Sequence, residues 1–290
     1  MEKYVKSYAE LAAGVPADNQ TLLGLARQFA SKIHHAPVPA GSAGRAEWAR
    51  AQRTTLSQVV HYKAVKVERP WYVSNTNHST VESISFRFAL SNGLSATGVW
   101  TKSTWTPENA PMVVMIDDKG RTGVDQQVGD HVPEAANLVA TGKQVLALSI
   151  LFTGDASPLK RDVGSLGYMM TAVGRPPLGL EAAQLIAITE WAQQRWHPSQ
   201  VSLESSGYRM QLVSLVAGAL EPRLFHSITI QKGMHSLADL LNGSVNSSEV
   251  PDVFCLDLYK DFDLNMLKAM AAPATVTESS YVNLAAGKKM

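Results

Sequence analysis

QVSLESSGYRMQLVSLVAGALEPRLFHSITI, residues 200–230, is the stretch on which the fold turns. Gln200–Glu204 is an apolar-centred run of strand length, Met210–Leu220 is an apolar run of helix length closed by Pro222, and His226–Ile230 is a second strand. A strand, a helix and a strand joined by short connections predict a parallel pair with the helix crossing one face of the sheet.

The alternation extends upstream. Pro111–Ile116 and Gln144–Ile150 read as buried strands, and the helix between them, over about 133–141, stops at Gly142. A longer helix from Gly179 to Trp196 sets Leu185, Ile188, Ala192 and Trp196 on one face, and Pro198 prevents its continuation. Residues 82–101 switch to period two: Ile84, Phe86, Phe88 and Leu90 alternate with Ser85, Arg87 and Ala89, and Asn92-Gly93 marks a hairpin turn before Ala96–Trp100. Residues 1 to about 70 carry helical spacing instead, in Leu22, Leu25, Ala26 and Phe29, then in Trp48, Gln52, Leu56, Val59 and Val60 after the linker PVPAGSAG. The expected class is α/β, a mostly parallel sheet flanked by helices. A helical N-terminal arm is expected over 1–75 and the main domain over 76–290, with the completeness of its C-terminal end left open.

Composition narrows the function classes. The 290 residues carry a formal net charge of +1, with 45% hydrophobic and 18% charged residues, which suits a chain that buries a core. No run of five like charges occurs, so neither a nucleic acid nor an anionic membrane surface is an expected partner. One cysteine, Cys255, excludes an intramolecular disulfide and a thiolate-only metal cage, and reads as core. Apolar runs fall far short of the ~20 residues of a membrane helix, and MEKYVKSYAELAAG is polar where a signal peptide is apolar. Cytosol and periplasm both stay open. The phosphate-cradling patterns GxGxxG and GxxxxGK[ST] are absent.

Five strings, taken in order, carry a family likeness: VVMIDDKGRTG at 113–123, VLALSILFTGDASP at 145–158, RWHPSQVSL at 195–203, LVSLVAGALEPRLFHSITI at 212–230 and FCLDLYKDFDLNMLKAMAAP at 254–273. Over about residues 80–280 the chain resembles bacterial acetyl xylan esterase-type carbohydrate esterases, which have the α/β-hydrolase fold. The resemblance implies hydrolysis of acyl esters by a serine nucleophile through an acyl-enzyme, with no cofactor and with a small ester or acylated carbohydrate as substrate. It says nothing of oligomeric state.

That fold places its nucleophile in G-x-S-x-G at a sharp strand-to-helix turn. Here the turn reads Leu203-Glu204-Ser205-Ser206-Gly207-Tyr208. Ser206 is flanked by Glu204 and Tyr208, and Ser205 by Leu203 and Gly207. Counting back from Ala-Leu-Glu-Pro-Arg at the helix end puts the usual serine nearer Tyr208. The expected catalytic pair is Ser206 with His235, and the expected oxyanion donors are the Gly207 N–H and one from the Asp118-Lys119 loop. The family's acid follows the strand at 274–277 and its histidine follows one strand later, yet the tail ESSYVNLAAGKKM holds Glu278 as its sole acid and no histidine. A substitute base is therefore His235 or His131, oriented by Asp239, Asp257 or Asp263.

Plainer roles compete at each position. Ser205 and Ser206 suit a turn and a helix cap, and His235 precedes a short helix over 236–241 with Ser236 as its cap. Asp117-Asp118-Lys119-Gly120 suits a tight acidic turn in which Gly120 supplies positive φ, which is compatible with the oxyanion role. Its paired carboxylates have no histidine or third carboxylate at a ligand spacing, so no metal is expected. Asp261 and Asp263 suit caps of the helix 264–270, and His34-His35 suits a solvated loop. A second class is a catalytically inactive hydrolase-fold domain with a structural or binding role, part of a longer multidomain esterase. A third is a carbohydrate-binding face made of Trp71, Trp100 and Trp105.

Overall fold

The structure, a computed structural model, describes residues 5–12, 14, 16, 18–78, 80–121, 133–158, 162–242 and 245–284. The chain divides into a unit of residues 1–34 and a unit of residues 35–290. The smaller holds α1 (Tyr8–Leu11), closed by a Ser7/Glu10 capping box, and α2 (Leu22–Ala30), capped by Thr21. Leu22 and Phe29 of α2 remain exposed.

The larger unit starts with α3 (Ser42–Val59), which buries Ala49 and Leu56 in the main core. The sheet then begins with three antiparallel strands, β1 (Val67–His78), β2 (Val81–Leu90) and β3 (Ser95–Ser103). β1 falls where helical spacing was expected. It is a sheet-edge strand, largely solvent-facing and carrying Pro70, so it lacks the alternation that marks a half-buried strand. Between β2 and β3 the Asn92-Gly93 turn forms as expected, with Gly93 at φ +81°.

Five parallel strands complete the sheet: β4 (Met112–Asp117), β5 (Gln144–Ser149), β6 (Val201–Ser206), β7 (Ser227–Gln231) and β8 (Thr275–Glu278). Among the described residues the order is β1-β2-β3-β5-β4-β6-β7-β8 in one sheet. Between these strands lie α4 (Pro133–Ala140), α5 (Val163–Ala172), α6 (Pro177–Trp196), α7 (Tyr208–Leu220), α8 (Asp239–Asn242), a 3-10 turn at Pro251–Val253, α9 (Leu258–Asp261) and α10 (Leu264–Met270).

Side-chain alternation splits β4 between two apolar clusters. Val113 and Met115 pack with Val145, Ala147 and the α4 residues Ala135 and Val139, while Met112, Val114 and Ile116 join the larger core under α3, α6, α7 and α10. With both faces covered, β4 is apolar from Met112 to Ile116 without alternation. Trp100 belongs to this interior. It is buried, stacks on Trp196 at 4.9 Å between centroids and donates from Nε1 to Gln144 Oε1 at 2.9 Å, so it cannot share an outer face with the exposed Trp71 and Trp105. No helix among the described residues is long and apolar enough to cross a membrane.

Candidate functional site

At the carboxyl edge of the sheet, Asp117 of β4, Ser206 of β6 and Gln231 of β7 lie abreast in register. β6 ends at Ser206, the chain turns at Gly207 with φ +100°, and α7 starts at Tyr208. This is the strand–turn–helix elbow, and its positive-φ residue, where the fold carries its nucleophile, is Gly207.

A carboxyl group occupies the space beside Gly207. A Cβ built there would overlap the Cγ and both oxygens of Asp118. Asp118 Oδ1 accepts a hydrogen bond from the Met210 N–H in the first turn of α7 at 2.9 Å. Part of the residue touches solvent, but its carboxyl is enclosed against the elbow, and burial pushes it up to about 7. Asp252 and Asp117 push the same way, while the Met210 N–H and the Arg209 cation oppose them.

Arg209 fixes this arrangement from beneath. Its Nε donates to Asp252 Oδ2 at 2.8 Å, its Nη1 to the Asp118 carbonyl and its Nη2 to the Phe152 carbonyl, each at 3.3 Å. Burial works against the guanidinium, but Asp252 and Glu181 outweigh it and keep it charged. Glu181, on α6, is fully buried, and neither of its carboxyl oxygens has a hydrogen-bond partner among the described residues. Burial first, and then Asp252, raise its pKa well above the usual carboxylate range, which favours the protonated acid. The guanidinium thus bonds one enclosed carboxyl group, that of Asp252, while Glu181 and Asp118 feel its charge.

The expected site residues have other partners. His235 is exposed, its ring stacks on Tyr281 at 3.9 Å, and its backbone N–H donates to Asp239. No hydrogen bond joins Ser206 to His235 among the described residues. Ser205 is buried and its Oγ donates to the Thr229 carbonyl at 3.5 Å. All three expected oxyanion donors are spent: the Gly207 N–H on the Gln231 carbonyl at 2.9 Å, the Asp118 N–H on the Ser206 carbonyl at 3.0 Å, and the Lys119 N–H on Asp117 Oδ1 at 2.8 Å. Asp263 accepts from Ser236 Oγ, Leu237 N–H and Leu264 N–H and caps α10, and Asp257 lies 3.7 Å from Lys260. His131 lies outside the described residues. Glu278, at the end of β8, pairs with Lys268 at 2.5 Å and accepts from Tyr281 and Gln211 at 3.0 Å each.

Gly207, Arg209, Asp252 and Glu181 were not singled out in the sequence for these roles. Glu181 had a readable signal, since it stands four residues before Leu185 on the apolar stripe of its helix. Gly207 was hidden by two adjacent serines that drew the frame upstream.

Sheet order and elbow together define the α/β-hydrolase fold. No family model matches the chain, and no curated protein matches its sequence. Among solved structures, a Bacteroides fragilis protein described as an acetyl xylan esterase superposes with a TM-score of 0.72 at 14% identity, over 92% of this chain and 77% of its own. Acetyl xylan esterase 1 from Thermoanaerobacterium sp. gives a TM-score of 0.52 at 14% identity, over 91% of this chain and 93% of its own. The glucuronoyl esterase from Solibacter usitatus gives 0.54 at 10% identity, over 86% and 81%. This chain therefore shares its fold with carbohydrate esterases, and at such identities the likeness extends to the fold alone.

Proposed function

We propose that this chain is a hydrolase-fold domain that acts by binding, without the serine-dependent ester hydrolysis of its structural neighbours. The observation that carries the reading is the filling of the elbow: glycine stands at the nucleophile position and the Asp118 carboxyl occupies the room a nucleophilic side chain needs. With the Gly207, Asp118 and Lys119 amides engaged in the fold, an oxyanion at this edge would find none of them free.

A second reading is favoured by the esterase neighbours and by the half-buried Ser206 at the carboxyl edge of the sheet. In it, Ser206 Oγ attacks the carbonyl of an acylated carbohydrate while His235 takes its proton. The alcohol then leaves, and water cleaves the acyl-enzyme. His235 would have to leave Tyr281 and come within about 2.6–3.2 Å of Ser206.

Hydrolysis of p-nitrophenyl acetate by the chain, beside Ser206→Ala and Ser205→Ala, separates the two. The expected rate is that of buffer and is indifferent to both substitutions. A rate above buffer that disappears in Ser206→Ala would establish the second reading and end the first.

A further inference from the structure

Away from the elbow, a cavity of about 500 Å³ opens between α3 and the ends of α7 and α10, lined by Arg45, Arg50, Arg53 and Arg223. Ser42, Ala46 and Ala49 of α3 form one side, and Pro222, Ala269, Ala272 and Pro273 the others. Residues 42, 45, 46, 49, 50 and 53 share a helical face, so small side chains make the room and the arginines surround it.

The lining gathers four cations and leaves a place for an anion among them. No carboxylate lines the cavity, and none of the four arginines makes an ion pair among the described residues. Burial lowers the Arg53 pKa, Glu221 outside the lining attracts the cation, and Arg50 repels it more weakly. Arg45 stands in the first turn of α3, where a cation opposes the helix dipole; that turn holds no acid, and its Gly41 N-cap offers no side-chain oxygen. Two of the arginines are held in place from behind: Arg53 donates to the Ala219 and Met270 carbonyls at 2.7 and 3.1 Å, and Arg45 to the Pro39 and Ala40 carbonyls at 3.3 and 3.4 Å. Arg50 and Arg223 are exposed and have no such anchor among the described residues.

We propose that this cavity binds a small polyanion bearing phosphate groups. Guanidinium forks match phosphate oxygens in pairs, and the volume lies within the roughly 300–1,000 Å³ of ligand pockets, larger than a lone phosphate requires. The alanine and proline walls offer apolar surface to whatever carries the phosphate. A net charge of +1 for the chain is compatible with four cations gathered locally by tertiary packing. The site is independent of the elbow.

The test is titration calorimetry of the full chain with inorganic pyrophosphate at fixed ionic strength, beside Arg50→Gln/Arg223→Gln and, as a distant control, Arg87→Gln. Saturable one-to-one binding is expected, weakened at least tenfold in the double variant and unchanged in the control. Both substituted arginines are exposed, and an unchanged thermal midpoint would show that the double variant folds. Parallel titrations with a hexose phosphate and with inorganic phosphate distinguish the sources: a tighter ester assigns a phosphorylated sugar, and a tighter inorganic ion assigns free phosphate or pyrophosphate. Absence of saturable binding, equal loss in the control, or equal affinity for a polycarboxylate such as citrate would overturn the proposal.

Discussion

The carboxyl group of Asp118 stands where a side chain on Gly207 would be. The two residues come from the ends of adjacent parallel strands, β4 and β6, and each limits what the other position tolerates. A glycine gives room for the carboxyl, and the carboxyl accepts the Met210 N–H that helix α7 leaves unsatisfied.

Gly207→Ala is expected to destabilise the fold by about 2–4 kcal/mol, since it adds both overlap and a non-glycine residue at positive φ. Asp118→Ala/Gly207→Ala should recover the overlap part and not the backbone part. Urea unfolding of the two single variants and the double variant checks this. Additive losses would show that the two positions do not interact.

The Asp118 carboxyl is raised from 3.8 to about 7 in the folded chain, so between these values the folded state holds a proton that the unfolded state has released. Its contribution to stability is full below about pH 4, falls by about 1.4 kcal/mol per pH unit as pH rises toward 7, and levels off above. Glu181, raised in the same direction, adds to the fall. Thermal midpoints measured from pH 5 to 8 should decline, and Asp118→Asn should flatten the decline.

Arg209→Ala leaves Asp252 buried without its cation and should cost about 3–5 kcal/mol. Glu181→Gln removes an ionisable group that has no hydrogen-bond partner among the described residues, and should change stability little near pH 4 and stabilise the chain increasingly toward pH 8, since the folded state holds the proton above the usual carboxylate range. Chemical denaturation at the two pH values checks both.

Gly179 lies where α6 meets the end of α3, and a Cβ there would overlap the Val60 carbonyl oxygen. Because both partners are backbone, relief requires moving a helix. Gly179→Ala should cost more than the about 1–3 kcal/mol of ordinary overpacking, read as a fall in the urea midpoint.

Most of the sheet was legible because strand and helix signals are local. Met112–Ile116 and Val145–Leu148 are apolar without interruption, Phe86 and Phe88 alternate with polar residues, and Gly93 and Gly142 take the positive φ that their turns require. β1 was not legible, since an edge strand packs too little of its surface to impose a pattern. In the candidate site, Asp118 and Gly207 were named for their amides, whereas the structure uses the carboxyl of one and the missing side chain of the other.

Length, composition and the periods of its apolar runs determined that this chain makes an α/β sheet with an elbow after β6, because each depends on residues within a few positions of one another. Only the tertiary structure decided that a carboxyl from the end of β4 fills that elbow, that Arg209 reaches Asp252 beneath it, and that arginines of α3 meet Arg223 around one cavity. Those relations join segments far apart in the chain, and side chains meet there according to how whole helices and strands pack, which no local pattern records.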